Sequence, residues 1–71
     1  MRQVILRFEA GLLREEIRKS GLSQRKLSKK LGLSEKSFSH KMNGLHEWKL
    51  SEIQAMKQIM PDMNISEIFH I

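Results

Sequence analysis

Apolar positions recur at helical intervals along most of the chain, and glycine or proline interrupts them at Gly21, Gly32, Gly44 and Pro61. Leu13 and Ile17 stand four apart among Arg14, Glu15, Arg18 and Lys19, which predicts an amphipathic helix from about Ala10 to Ser20. Basic residues in its last turn and Gly21 beyond it mark the stop. Ser23 fits the N-cap of a second helix, Gln24 to Leu31, with Leu27 and Leu31 on one face. Gly32 closes that helix. Ser34 then caps a third, Glu35 to about Asn43, anchored by Phe38 and Met42 and ended by Gly44. Leu45 to Leu50 reads as a loop. Ser51, with Gln54 three residues later, makes a capping box for a fourth helix whose apolar side is Ile53, Met56, Ile59 and Met60. Pro61 stops it by forcing the preceding residue out of helical geometry. Ser66 caps a last short turn through Phe69.

The first nine residues fit two patterns. Val4, Leu6 and Phe8 alternate as a strand would, whereas Ile5, Phe8 and Leu12 extend the first helix backwards. The helical extension is the expectation adopted, because a lone strand needs a partner for its backbone, such as a second chain. The pattern as a whole predicts an all-α fold: one domain over residues 1–71, a compact bundle of four to five short helices.

Composition narrows the functional classes. The chain has 71 residues, 39% of them hydrophobic, and no cysteine. Such a length supports one small core that helix packing or dimerisation would reinforce. There is no disulfide framework and no Cys-ligated metal to expect, which suits a reducing, cytoplasmic setting. No apolar run approaches membrane-spanning length, and the four apolar residues between Arg2 and Arg7 are too few for a signal-peptide core. The net charge of +5 is unevenly spread. Residues 21–49 hold seven basic side chains against Glu35 and Glu47, a local +5, while residues 50–71 carry −2. A basic middle third suits a polyanion, since each phosphate neutralised releases condensed counterions.

The stretch Gln24 to Asn43 concentrates the chemistry. Only Gly32-Leu33-Ser34 joins its two helices, so the chain must turn sharply, and Gly32 can adopt the positive φ required. Leu27, Leu31, Leu33, Phe38 and Met42 can meet inside the corner, and the small Ser28 lets the helices approach. Glu35, Lys36, Ser39, His40 and Asn43 are then left outward on the second helix, whose polar face has no use inside the protein.

The run SQRKLSKKLGLSEKSFSHKMNG resembles the helix-turn-helix of the phage Cro and repressor (XRE) family. The likeness lies in Gln24 opening the first helix, the small Ser28, the turn Leu31-Gly32-Leu33, the apolar Phe38, and the closing Asn43-Gly44. LHEWKLSEIQAMKQIM resembles the loop and fourth helix of small phage-associated members. Two positions depart from the pattern. Ser28 replaces the usual alanine and brings a hydroxyl that needs a backbone carbonyl one turn back. Lys41 replaces an aliphatic residue: either its stem covers the core while the ammonium reaches solvent or phosphate, or the helix is rotated and Met42 takes the buried role.

The resemblance implies a lambda repressor-like DNA-binding domain, with the helix-turn-helix proper at 24–43 and residues 35–43 as the recognition helix in a DNA major groove. Glu35, Lys36 and His40 then match base-contacting sites, with Ser39 also facing the groove. Lys36 suits guanine O6 and N7, Glu35 cytosine N4, and His40 a purine acceptor. Ser23 and Gln24, with the free amides beside them, and Arg25, Lys26, Lys41, Asn43 and Lys49 fall to phosphate. Trp48 is expected in the core, or as a lid over the helix ends, in preference to stacking on bases.

Catalysis is poorly supported. His40 and His46 are not spaced as ligands on one helix face, Glu15 and Glu16 point in different directions, and the serines stand at caps. The expected protein is a cytoplasmic, nucleoid-associated transcriptional regulator of a bacterium or its phage, without cofactor, metal or membrane. It would bind a near-palindromic operator as a homodimer, through Asn64 to Ile71 or, as second choice, the N-terminal segment. Seventy-one residues leave no room for a separate ligand-sensing domain, so control falls to concentration, competition or a partner regulator. The rival reading is a protein-binding relative, an antirepressor or antitoxin, using the apolar ends VILRF and ISEIFHI.

Overall fold

The Leu13 and Ile17 stripe folds as α1 (Ala10–Ser20) in the computed structural model, which describes residues 4–5 and 7–71. The remaining helices are α2 (Gln24–Lys30), α3 (Glu35–Met42), α4 (Leu50–Ile59) and α5 (Ile65–Phe69). Two short strands, β1 (Val4–Ile5) and β2 (Trp48–Lys49), pair antiparallel with Val4 opposite Lys49 and Ile5 opposite Trp48. The fold is a small all-α bundle with this one ladder attached.

The ladder corrects two expectations. Val4–Ile5 is a strand, not a backward extension of α1, and its partner lies within the same chain at positions read as loop. The part of that expectation concerning residues 1–3 and Leu6 lies outside the described residues. Glu9, the N-cap residue of α1, donates its amide to the Ile68 carbonyl at 2.8 Å, so the chain entering α1 is held by α5 and cannot continue the helix upstream.

Two further helix starts differ from the pattern. α4 begins at Leu50 because the Glu52 carboxylate accepts the Lys49 amide at 2.8 Å, two positions ahead of the expected Ser51 and Gln54 box. α5 is capped by Asn64, whose side-chain oxygen accepts the Glu67 amide at 3.0 Å, instead of by Ser66. Asn and Ser serve equally as caps, and Asn64 sits where the chain is still extended.

All four aromatic residues meet in one cluster around Trp48, which is fully buried. Its ring makes edge contacts with Phe8, Phe38 and Phe69 at centroid distances of 6.0, 5.8 and 6.2 Å. Leu13, Ile17, Leu27, Ile53 and Ile68 complete the core with Met42, Met56, Met60 and Met63. Trp48 is therefore a core residue. Ile68 and Phe69 are buried and Phe8 and Ile65 pack against the core, so much of the apolar character of the C-terminal end, and Phe8 with it, is already spent internally.

The corner between α2 and α3 closes as a Schellman motif. Leu33 donates its amide to the Ser28 carbonyl at 2.9 Å, and Gly32, at φ +74°, donates to Lys29 at 3.1 Å. A Cβ at Gly32 would meet nothing within 4 Å, so only its backbone angle demands glycine. Gly32→Ala should cost about 1 kcal/mol from the left-handed conformation alone. A thermal melt should fall by roughly 4–8 °C for a domain of this size; an unchanged melting temperature would contradict the account.

Candidate nucleic-acid interface

α3 owes its orientation to three buried positions. Phe38 is 1% exposed, Met42 3% and Lys41 7%. Ser34 starts the helix by accepting the Ser37 amide at 3.0 Å. With those residues turned inward, Glu35, Lys36 and Ser39 are exposed and His40 is half-buried. Among the described residues, Glu35 and Lys36 form no ion pair. His40 rests against His46, with ring centroids 5.0 Å apart.

The two options for Lys41 resolve into a third. Met42 does take a buried role, yet Lys41 is buried beside it. Its ammonium donates to Glu52 Oε1 at 2.7 Å and to the Glu47 carbonyl at 3.0 Å, and it lies 5.8 Å from the Trp48 ring centroid. The expected phosphate contact from Lys41 is therefore corrected: the side chain points into the bundle, because a buried carboxylate is there to receive it.

The expected contacts at the start of α2 are all on the surface. Ser23 caps the helix through the Lys26 amide at 3.1 Å, and Gln24, Arg25 and Lys26 are exposed. The first amides of a helix have no carbonyl upstream to bond within it, which is what makes such an end receptive to anions. Leu27 and Ser28 are buried behind them, and Leu31 and Leu33 are half-buried against the core. The Ser28 hydroxyl donates to the Arg25 carbonyl at 2.9 Å, which satisfies it as its type requires. Lys49 is exposed.

At the far end of α3, Asn43 is held on both sides. Arg14 donates to its side-chain oxygen at 3.2 Å, and its amide nitrogen lies 3.4 Å from Ser39 Oγ. Arg14 was not among the candidates, and no local signal could have found it, since 29 positions separate it from Asn43. Glu52 was missed as well, although its place three residues after Lys49 is itself a capping pattern. Further along α1, Arg18 donates to Glu15. That hydrogen bond holds the Glu15 carboxyl below its usual range and raises the guanidinium.

The cations differ in whether the chain supplies them a partner. Arg18, Lys19 and Lys41 pair with Glu15, Glu16 and Glu52, and Lys57 donates to the Pro61 and Met63 carbonyls. Among the described residues, Arg25, Lys26, Lys29, Lys30, Lys36 and Lys49 have no acidic partner. No group of three or more His, Cys, Asp or Glu among the described residues is arranged to hold a metal. No helix among them is long and apolar enough to cross a membrane.

Residues 10–70 match the model of a family described as protein of unknown function (DUF739). The match spans most of the molecule, and the chain belongs to that family. No curated protein and no solved structure matches it.

Removing one member of the buried pair should be severe. Lys41→Ala leaves the Glu52 carboxylate buried without its ammonium and should cost about 3–5 kcal/mol in urea unfolding. The double replacement Lys41→Met, Glu52→Gln should recover most of that loss, because no buried charge then remains and the glutamine oxygen still accepts the Lys49 amide. A double variant as unstable as the single one would show that the pair itself is not the cause.

Proposed function

We propose that the protein is a sequence-specific double-stranded DNA-binding transcriptional regulator, acting as a Cro-like repressor and reading the major groove with α3. The observation that carries this reading is the unpaired basic surface of α2, α3 and Lys49. Among the described residues, six cations there lack acidic partners, while Arg18, Lys19 and Lys41 are paired with carboxylates and Lys57 bonds backbone carbonyls. A surface of that kind is suited to phosphate, and a short helix held from behind suits the groove. Lys36 and Glu35 supply a donor and an acceptor for base edges, with Ser39 and His40 beside them. Gln24, Arg25, Lys26, Asn43 and Lys49 serve the backbone, with Ser23 fixing the helix end. The resemblance to Cro and repressor proteins supports the same assignment.

The molecule measures 33 × 24 × 19 Å. One copy cannot present two recognition helices a full turn apart, about 34 Å along DNA. A single module also buries only about 600–1,000 Å² against DNA, too little for high specificity. The proposal therefore includes a homodimer on a near-palindromic site. Light scattering on the complex with operator DNA should return two protein chains per site, and a single chain would remove this part of the reading.

Binding to DNA can be followed by fluorescence anisotropy at about 50 and 200 mM NaCl. Lys36→Ala should reduce the preference for operator over random duplex by about 1–3 kcal/mol. Lys49→Ala should weaken binding to all sequences alike, with a salt slope shallower by about 1. Failure of the unaltered protein to bind any duplex at the lower salt would overturn the DNA reading and favour a protein partner.

A further inference from the structure

A cleft of about 770 Å³ opens between the entry to α1 and the C-terminal end of α3, lined in part by Arg7, Glu9, Arg14, Asn43, Gly44 and His70. We propose that this cleft is a second phosphate subsite, with Arg14 as its principal ligand and Arg7 beside it, extending the DNA contact from the helix-turn-helix onto α1. The proposal rests on the DNA-binding reading above.

The chemistry follows from how Arg14 is held. A guanidinium has five N–H donors and no acceptor. One nitrogen of Arg14 donates to Asn43 Oδ1 at 3.2 Å, which fixes the fork at the end of α3. That partner is a neutral amide, so the cation is positioned without being neutralised. Among the described residues, no carboxylate lies within ion-pairing distance of Arg14. Arg18, on the same helix, is committed to Glu15. The remaining N–H groups of Arg14 are free to engage a phosphate in the two-point geometry that a guanidinium favours.

The surroundings agree with an anion. The one carboxylate lining the cleft, Glu9, faces His70 Nε2 at 3.0 Å. Gly44 contributes no side chain to block approach, and a Cβ there would meet nothing within 4 Å. Asn43, bridging Arg14 and Ser39, links the subsite to the exposed face of α3. A phosphate seated on Arg14 would therefore also set the position of the side chains that face the bases.

The test is the salt dependence of binding to a fluorescent random-sequence 30-base-pair duplex, chosen as the probe because phosphate contact is independent of sequence. Arg14→Ala should flatten the plot of log affinity against log salt by about 0.9, the value for one lost phosphate contact. Affinity at low salt should fall roughly tenfold, the usual scale for a charge-assisted hydrogen bond. Arg14→Lys should keep most of the slope, because its charge remains. Arg18→Ala should leave the slope unchanged. Thermal melts check that each variant is folded, which is expected for exposed side chains. If Arg14→Ala keeps the unaltered slope, or if Arg18→Ala flattens it equally, the subsite is wrong while the DNA reading stands. If the unaltered protein does not bind the duplex, the DNA reading falls and the subsite with it.

Discussion

Moving the Lys41 ammonium out of water costs several kcal/mol unless a carboxylate and further acceptors meet it, and the structure converges on that requirement. Glu52 supplies the charge at 2.7 Å and the Glu47 carbonyl a second acceptor at 3.0 Å. The same Glu52 oxygen accepts the Lys49 amide, and so begins α4. One buried contact thus joins α3, the segment after it, β2 and α4. Trp48 lies beneath it and touches Phe8, Phe38 and Phe69, which brings in the chain entering α1 and the C-terminal helix. Rotating α3 about its axis would pull Lys41 from Glu52 and Phe38 from Trp48 together. The outward direction of Glu35, Lys36 and Ser39 is set by residues none of which face outward.

What could be read in advance was local. Ser23 and Ser34 cap the helices they precede, Gly32 turns the corner, and Ser28 bonds one turn back, because each of these depends on neighbours within a few residues. What escaped prediction was decided by partners distant in sequence. Val4 and Ile5 became a strand because Trp48 and Lys49 were placed beside them, a pairing that hydrophobic periodicity does not encode. The start of α4 looked like a Ser51 cap. It was settled by a glutamate that was already buried to meet Lys41. Lys41 itself looked like surface charge because its partner was eleven residues away on another helix.

The candidate surface divides along the same line. Its exposed members were visible from helical spacing once Phe38 and Met42 were taken as the anchor. Arg14 was not, since only the packing of α1 against the end of α3 brings it to Asn43. The core that sets this packing is rich in methionine, a flexible and polarizable side chain that fills irregular space with little directional demand. Such a core holds the helices together without dictating their angles sharply. The directional interactions are what specify the geometry at the surface: the Lys41 pair, the Schellman turn ending α2, and a second one ending α3, where Leu45 donates to the His40 carbonyl and Gly44 to that of Lys41.

The arrangement of charge gives the strongest physical reason to look for a polyanion. Lys41, Lys19 and Arg18 have carboxylates, and Lys57 closes the turn after α4 by bonding two carbonyls. Pairing is therefore within reach of this chain's eight acidic residues where it serves the fold. Among the described residues, the exposed cations of α2, with Lys36 and Lys49, have no acid beside them, and like charges meet water at some expense in self-repulsion. Glu35, the acid on α3, stands in its first turn, where it favours the helix dipole and forms no ion pair with Lys36. Mutual repulsion on a free surface becomes attraction once phosphates lie against it, and that change grows as salt is lowered. A fold that pairs some cations for its own stability, yet leaves these exposed ones without acids among the described residues, holds electrostatic energy that a bound polyanion would release.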